Sequence, residues 1–332
     1  MKKIFLLTAL AVLLGVATAT AQQISVVNGG STTLYQNLPA AIEGASNGSV
    51  IYLPGGGFPL PDSVKITKKL TIIGIGHKST NDNVDGFTTI AGNVFFNGGS
   101  DGSAIMGCLI TGTVAIGHDG VSVNNVLVKR CNVNAVDSRA NCENIVVSQN
   151  YIRNPSPIRG CGSLVTNNIV HSLYDMNSST ICYNLIRYRT CGSKGDYYTH
   201  YSALNEVDNS NIYNNIIIEA NYIGAFCDFD QANRNMFINC NWGDSCVSLP
   251  GGTNWVDVFV KWNDGGINPM NDFHFKEAYQ QYHDIGIYGN GVNGFDDHQT
   301  APVPYITGKQ IDQETDAAGQ LGIKIRVKAS GD

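Results

Sequence analysis

The sequence contains few charged residues and, after its first 21 residues, no long apolar run. Charged side chains make up 14% of the 332 residues, and the formal net charge is −6. General nucleic-acid binding needs a basic surface, so this composition argues against a nucleic-acid partner. A transmembrane helix needs about 20 consecutive apolar residues, so we expect no transmembrane segment in the mature protein.

The nine cysteines form no CxxC motif, and their spacing relative to histidine matches no common zinc site. They all lie between Cys108 and Cys246, and an odd number cannot pair completely within one chain. Cys108, Cys131 and Cys240 occupy positions of the repeat described below. We therefore predict that these three are buried thiols and not nucleophiles, because no activating partner is visible beside them.

The first 21 residues are typical of a secretory signal peptide. Lys2 and Lys3 precede an apolar run over residues 4–19, and small residues at 17, 19 and 21 offer cleavage sites. A membrane anchor is the alternative, but the run is short for one. We therefore expect a secreted, periplasmic or cell-surface bacterial protein, in a compartment that permits disulfides.

A short pattern recurs along the mature chain: an apolar residue, any two residues, Asn or Cys, any residue, and a second apolar residue. The Asn or Cys lies at positions 108, 131, 150, 168, 184, 215 and 240. Each copy is rich in β-branched and other apolar residues and is bounded by Asn, Gly and Ser, which is typical of a short strand between turns. No helical segment separates the copies, which excludes a βαβ sheet. The variable step between copies favours an all-β parallel β-helix, with coils about 4.8 Å apart and the Asn side chains bonded in a ladder.

The segment before the repeat predicts a cap for the first coil. Leu38, Ala41, Ile42 and Ala45 share one face of a short helix, with Pro39 in its first turn. A solenoid needs such a cover at its open end.

Three parts of the sequence resemble the pectin-lyase-like right-handed parallel β-helix proteins. Residues 38–45, 50–54 and 70–74 resemble their entry, residues 209–217 resemble one coil, and residues 272–275 with 284–286 resemble the last coil. The resemblance implies a right-handed parallel β-helix, which together with its N-terminal cap is assigned to residues 22–290, after the signal peptide over 1–21. We expect the protein to be a monomer. It implies no single activity, because the superfamily includes polysaccharide lyases, glycoside hydrolases, epimerases, tail fibres and adhesins.

Residues 291–332 are predicted to form a C-terminal β-strand tail. Residues 302–306 and 321–327 are strand-like, and a polar connection over 312–319 separates them. We expect this element to pack on the solenoid or to form a small appendage.

A column of basic residues is predicted on the outside of adjacent coils. Arg153, His171 and Arg187 each follow a ladder Asn by three residues, and side chains alternate along a strand. Such a column suits an acidic polysaccharide or another acidic surface glycan. The alternative is an exposed strand edge with unrelated charges.

The long step between Asn184 and Asn215 predicts a loop that covers Ile169, Leu185 and Ile216, which the same count directs outward. Tyrosines in this loop would bind sugar rings through their faces, or else pack the loop itself. The tyrosines singled out for ligand binding are Tyr197, Tyr198 and Tyr201.

Asp228 and Asp230 are two carboxylates in one loop that could bind Ca²⁺; the alternative is that they only form a turn. In the lyases that the chain resembles, acidic residues hold calcium on the substrate carboxylate and a basic residue removes a sugar proton. By that resemblance, the candidate catalytic residues are Arg187, Arg189, Lys194 and His200. His274, beside two aromatic residues, is expected to be a packed residue of the last coil.

Three functions stay open on the sequence. The first, favoured by the sparse charge and the lack of a lyase signature, is glycan binding without catalysis through the basic column and the long loop. The second is a calcium-dependent polysaccharide lyase acting on a uronate-containing polymer. The third is a structural spacer or adhesin.

Overall fold

The computed structural model describes residues 23–78, 86–139, 141–187, 203–218, 234–238, 240, 249, 253–262, 271–289, 294–295, 297, 305–311, 314–315 and 319–328. The predicted signal peptide lies outside these residues. Within them, none of the helices has the length and apolar character needed to cross a bilayer.

Short β-strands make up about half of the described chain. The first part contains β1 (Ile24–Asn28), β2 (Ser31–Tyr35), helix α1 (Leu38–Gly44), β3 (Val50–Tyr52), β4 (Gly56–Ile66), β5 (Thr71–Ile73), β6 (Thr88–Phe96), β7 (Ala104–Met106), β8 (Leu109–Ile116), β9 (Leu127–Lys129) and β10 (Asn132–Ser138). The middle part contains β11 (Val146–Ser148), β12 (Tyr151–Ile152), β13 (Ser156–Pro157), β14 (Leu164–Thr166), β15 (Ile169–Val170), β16 (Leu173–Asn177), β17 (Thr180–Cys182), β18 (Leu185–Arg187), β19 (Leu204–Asp208), β20 (Asn211–Tyr213), β21 (Ile216–Ile218) and β22 (Met236–Ile238). The last part contains helix α2 (Trp255–Val258), β23 (Phe259–Lys261), β24 (Asp272–Phe275), a 3₁₀ helix (Glu277–Tyr282), β25 (Tyr305–Ile311) and β26 (Ile323–Lys328).

Two long sheets and one short sheet are built by a chain that moves from one to the next. Sheet A has the order β2-β1-β3-β5-β7-β9-β11-β14-β17-β20, sheet B the order β22-β21-β18-β15-β12-β10-β8-β6-β4, and sheet C the order β13-β16-β19. Strand β1 pairs antiparallel with β2 and with β3. All the other pairings in these three sheets are parallel. We call one sheet A strand, its turn and the following sheet B strand a rung. This arrangement confirms the expected mainly β fold and is compatible with a parallel β-helix.

Apolar side chains in register fill the space between sheets A and B. Sheet A contributes a buried stack, and sheet B a second stack that packs in the same core. Burying one Val, Leu or Ile side chain contributes about 1.5–3 kcal/mol, so these stacks supply most of the favourable free energy of folding. The two stacks are Ile72, Ile105, Val128, Val147, Val165, Ile181 and Ile212 on sheet A, and Ile110, Val133, Ile152, Val170, Ile186 and Ile217 on sheet B.

The turn from sheet A to sheet B contains one residue in the left-handed region, followed by the predicted ladder residue. Left-handed residues precede the ladder in six rungs: Gly107, Arg130, Gln149, Asn167, Tyr183 and Asn214, with φ between 51° and 66°. The ladder amides then bond from rung to rung. The backbone N–H and the Nδ2 of Asn168, for example, donate to Oδ1 of Asn184 at 2.9 and 3.0 Å.

The ladder passes from Asn215 to Asn235 and not to Cys240, so the prediction for the last repeat was wrong. Asn215 donates to Oδ1 of Asn235 at 3.0 Å, and Met236 pairs with Ile216. Phe237 therefore stands opposite Ile217 on sheet B, whereas the sequence pattern had placed it on sheet A. The pairing of β22 with β21 thus places Asn235, and not Cys240, in the ladder position after Asn215.

Cys108 and Cys131 continue the ladder column below Asn150, and both are fully buried, as predicted. Cys240, for which the same prediction was made, is only half-buried. The backbone N–H of Cys131 donates to Oδ1 of Asn150 at 2.9 Å, and the Cys131 thiol donates to the Lys129 carbonyl oxygen at 3.3 Å. Burial raises the pKa of Cys131 to about 12 and that of Cys108 well above its usual value. Neither thiol is therefore a nucleophile near neutral pH.

The N-terminal cap forms as predicted. Asn37 caps helix α1, since its side chain accepts a hydrogen bond from the Ala40 N–H at 2.9 Å. The buried face of the helix is Leu38, Ala41 and Ile42.

A second apolar cluster lies on the outer face of sheet B, where the sequence predicted a covering segment. Ile169, Leu185 and Ile216 are buried there against residues from the region 253–295, including Phe259 and Phe273. The cover that the structure describes therefore comes from the C-terminal part of the chain, and not from the loop between Asn184 and Asn215. Residues 188–202 of that loop lie outside the described residues.

Residues 272–275 belong to this cover, so their prediction as part of the last coil was wrong. Strand β24 pairs antiparallel with β23, whereas the rungs are parallel. From Asp284 onward the chain then runs back along the turns of the ladder. Gly286 N–H donates to the Asn214 carbonyl oxygen at 2.8 Å, and Asn167 Nδ2 donates to the Ile287 carbonyl oxygen at 2.9 Å.

The C-terminal tail contains an antiparallel pair, β25 with β26. Ile311, Ile323, Ile325 and Val327 are all more than half exposed on it. Leu321, which the sequence placed at the start of the second strand, precedes β26.

Candidate functional site

The basic column borders one cleft on the outer face of sheet B. Strands β12, β15 and β18 are in register, so Arg153, His171 and Arg187 end three successive rungs. All three side chains are half-buried. The cleft has a volume of about 260 Å³ and is lined by Tyr151, Ile152, Arg153, Ile169, Val170, His171 and Arg187.

Arg153 does not project freely from its rung. Its Nη2 donates to the Ile110 carbonyl oxygen at 2.8 Å, and its Nε donates to that of Val133 at 3.4 Å. A register shift between β8 and β10 lies just beyond these carbonyl groups, next to the point at which Arg153 bonds them. The aliphatic part of Arg153 therefore forms one wall of the cleft, and its charge is fixed beside β8 and β10.

Arg187 lies against two indole rings at the opposite end of the cleft. Its guanidinium carbon is 5.4 Å from the ring centre of Trp255 and 5.0 Å from that of Trp262. Trp262 in turn stacks on the buried ring of Phe259, with 6.0 Å between the ring centres. Cation–π contacts with these two rings hold the charge of Arg187 at a fixed place.

The cleft combines fixed cations with aromatic and aliphatic surface. A carboxylate can pair with guanidinium groups through two parallel hydrogen bonds, and sugar CH groups can pack on Tyr151. Burial raises the pKa of the Tyr151 hydroxyl, so this side chain stays neutral. The loop residues Arg189, Lys194, Tyr197, Tyr198, His200 and Tyr201 lie outside the described residues.

A second polar surface, which we call the acidic face, surrounds sheet C. Arg159 forms ion pairs with Asp137 at 3.1 Å and with Asp175 at 2.8 Å. Its guanidinium carbon also lies 6.0 Å from the ring centre of Tyr174. Glu206, on the next strand of sheet C, and Asp208 complete the acidic face.

Asp175 and Glu206 interact directly, and both have left-handed backbone conformations, with φ of 59° and 50°. A hydrogen bond with Asp175 and the negative charge of that residue raise the pKa of Glu206. For Asp137, burial raises the pKa, opposed by the charge of Arg159.

The acidic face was not predicted from the sequence, although the sequence contains a signal for it. The segments 173–177 and 204–208 share one pattern, in which Leu173 matches Leu204 and Met176 matches Val207. Their charged residues, Asp175 and Glu206, occupy the same place in that pattern. The numbers of residues that separate Asp137, Arg159 and Asp175 in the sequence are unequal. The spacing alone therefore does not predict that Asp137 and Arg159 lie together.

Comparisons of the chain with protein-family models, with curated proteins and with solved structures gave no match. The chemistry of the cleft and of the acidic face is therefore the basis for a functional assignment. In the part of the chain that the structure describes, no group of three or more His, Cys, Asp or Glu residues could hold a metal ion. Asp228 and Asp230, predicted to bind calcium, lie outside that part.

His274 is exposed on β24 of the cover, so its prediction as a packed residue of the last coil was wrong. It stacks on Tyr288 with 3.8 Å between ring centres, and its Nδ1 lies 2.7 Å from Oδ1 of Asp272. The Tyr288 hydroxyl donates to Oδ1 of Asp297 at 2.6 Å. These contacts fix the returning C-terminal segment against β24, so we assign them to the cover.

Proposed function

We propose that the chain is a pectin-lyase-like right-handed parallel β-helix that binds an acidic polysaccharide or surface glycan without cleaving it. The observation that carries the proposal is the cleft in which Arg153, His171 and Arg187 meet beside Tyr151. Arg153 and Arg187, on either side of His171 at the ends of successive rungs, create a local positive potential on a chain with a net charge of −6. An anionic ligand is therefore favoured at this place over the rest of the surface.

The placement of Arg187 favours a planar anion. Because two indole rings hold the guanidinium group, less side-chain entropy is lost on binding than for a freely moving arginine. A carboxylate on a sugar ring offers both a planar anion and CH groups for Tyr151. A uronate unit therefore suits the cleft better than a neutral sugar.

The test is a calorimetric titration of the mature protein with uronate polysaccharides and with a neutral polysaccharide. We expect binding of the uronate polymers alone, and a loss of at least about tenfold in affinity in Arg187→Ala, which corresponds to about 1.4 kcal/mol. Arg326→Ala is the matched control, because Arg326 is an exposed arginine on β26. Equal losses in both variants, or equal binding of the neutral polymer, contradict the proposal.

A second candidate function, glycan cleavage, is favoured by the shared hydrogen bond of Asp175 and Glu206. A carboxyl group with a raised pKa is the general acid that glycan hydrolysis requires. This candidate replaces the calcium-dependent lyase of the sequence analysis with acid–base catalysis at the acidic face.

Incubation with a panel of uronate polysaccharides, with and without calcium, separates these activities. Hydrolysis releases reducing ends without ultraviolet absorbance, and we expect Glu206→Gln to abolish it while Glu143→Gln, an exposed glutamate, does not. A lyase instead gives an unsaturated product that absorbs in the ultraviolet. No product from any polymer excludes both activities for these substrates and leaves binding as the function.

A further inference from the structure

The cleft differs from an open groove because it is closed at the end that faces the later rungs. The residue that follows Arg187 in the column is Ile218, which is fully buried in the outer cluster. The indoles of Trp255 and Trp262 lie on Arg187 at the same end. A glycan chain that extends along the stack of rungs would therefore meet this cover.

The other end of the cleft is bounded by the side chain of Arg153. Its guanidinium group is bonded to backbone carbonyl oxygens of Ile110 and Val133, so it cannot turn outward without losing these bonds. Three rungs at about 4.8 Å spacing span only about 10 Å. The volume of about 260 Å³ also lies just below the range of about 300–1,000 Å³ typical of sites for drug-sized ligands.

We propose that the cleft recognises a carboxylate-bearing sugar at a chain end or side branch, and not an internal stretch of an extended polymer. This inference rests on the proposed function, because it assumes that the cleft binds an acidic glycan. The ligand enters from the side that faces solvent, with its carboxylate toward Arg187 and its ring beside Tyr151. The rest of the glycan then leads away from the protein.

The experiment is a calorimetric length series on the unmodified mature protein, with mono-, di-, tetra- and hexagalacturonate as probes. Affinity is expected to reach a plateau at the dimer and to change by less than about threefold up to the hexamer. An affinity that keeps rising with each added unit overturns the end-recognition inference and leaves the proposed function standing. Absence of binding by every probe overturns both.

A variant at the closed end gives an independent test. Trp262→Ala removes one of the two indoles over Arg187, so the hexamer should gain affinity over the dimer if the cover sets the ligand length. Val260→Ala is the control, because Val260 is a neighbouring residue that is 52% exposed, and it should keep the plateau. A plateau that is unchanged in Trp262→Ala, in protein with a native circular dichroism spectrum, contradicts closure by this ring.

Discussion

The side chain of Asn168 shows how single residues hold successive rungs together. Its amide nitrogen donates to the carbonyl oxygen of Val147 at 2.8 Å and to Oδ1 of Asn184 at 3.0 Å, and its own Oδ1 accepts from the Asn150 N–H at 2.8 Å. The side chain is fully buried. Each ladder amide therefore satisfies polar groups of three rungs that have no access to water.

Replacing Asn168 by Leu should lower the free energy of unfolding by about 1–3 kcal/mol, because buried partners lose their hydrogen bonds. Asn211→Leu is the control, since Asn211 is exposed on β20 and should change stability by less than about 0.5 kcal/mol. Urea denaturation followed by circular dichroism measures both. Equal stability of Asn168→Leu and the parent would refute the role of the ladder.

His77 is a buried residue that should make the protein sensitive to acid. Within the described residues neither ring nitrogen has a hydrogen-bond partner, and burial lowers its pKa from 6.5 to about 3. Above pH 6.5 the imidazole of His77 is neutral in both the folded and the unfolded chain. Between pH 6.5 and about 3 only the unfolded chain binds the proton, so stability falls as the pH falls.

Because of His77, the free energy of unfolding should fall by on the order of 3 kcal/mol when the pH is lowered from 7 to 4. In His77→Phe that part of the pH dependence should disappear, whereas the exposed His118→Phe control should retain it. The measurement is urea denaturation at a series of pH values. Parallel pH profiles for the parent and His77→Phe would show that His77 does not contribute.

At the scale of elements, the C-terminal cover has two effects: it stabilises sheet B, and it shapes the cleft. The buried ring of Phe259 lies 5.7 Å from those of Phe273 and Phe275, and 6.0 Å from that of Trp262. One cluster thus packs on Leu185 and Ile216 and also supports the indole that lies on Arg187.

Phe259→Ala should cost about 3–5 kcal/mol, the range for removing a buried aromatic side chain. It should also weaken glycan binding, because Trp262 loses the ring on which it stacks. The exposed neighbour Val260→Ala should alter neither property. Thermal unfolding and the calorimetric titration measure the two effects, and a loss of stability without any loss of affinity would separate the cover from the cleft.

At the scale of the whole molecule, one core runs through the stacked rungs from α1 to β21. Cys108, Cys131 and Cys142 lie within this core as free thiols, whereas Cys161 is exposed. Buried thiols deep in such a core become accessible only when neighbouring rungs separate.

Thiol labelling should therefore distinguish these residues. Cys161 should react at once in the native protein, while labelling of Cys108 and Cys131 should follow the urea unfolding curve measured by circular dichroism. Mass spectrometry of the peptides that contain each cysteine gives the site-specific rates. Fast labelling of Cys131 in the native protein would contradict its place in the core.

Much of the fold follows from the local pattern of residues. The repeat of apolar residues around Asn150, Asn168, Asn184 and Asn215 predicts strands and turns, because a ladder amide needs a fixed place in each rung. The cap helix is predictable for the same reason, since its apolar face and Asn37 lie close together in the sequence. The pattern failed at Cys240, where chance spacing imitated a rung and only the pairing of β22 with β21 showed the true register.

Long-range packing decided the rest. No local pattern indicates that the segment around Phe259 covers Leu185, or that Trp255 and Trp262 lie on Arg187, because these contacts join residues about 70 positions apart in the sequence. The acidic face likewise joins residues from separate strands at irregular spacing. The sequence by itself thus determined the strands, the ladder and the basic column, since these depend on periodicity. The tertiary structure decided the cover, the closed end of the cleft and the pairing of Asp175 with Glu206, since these depend on which surfaces the chain buries when it folds back.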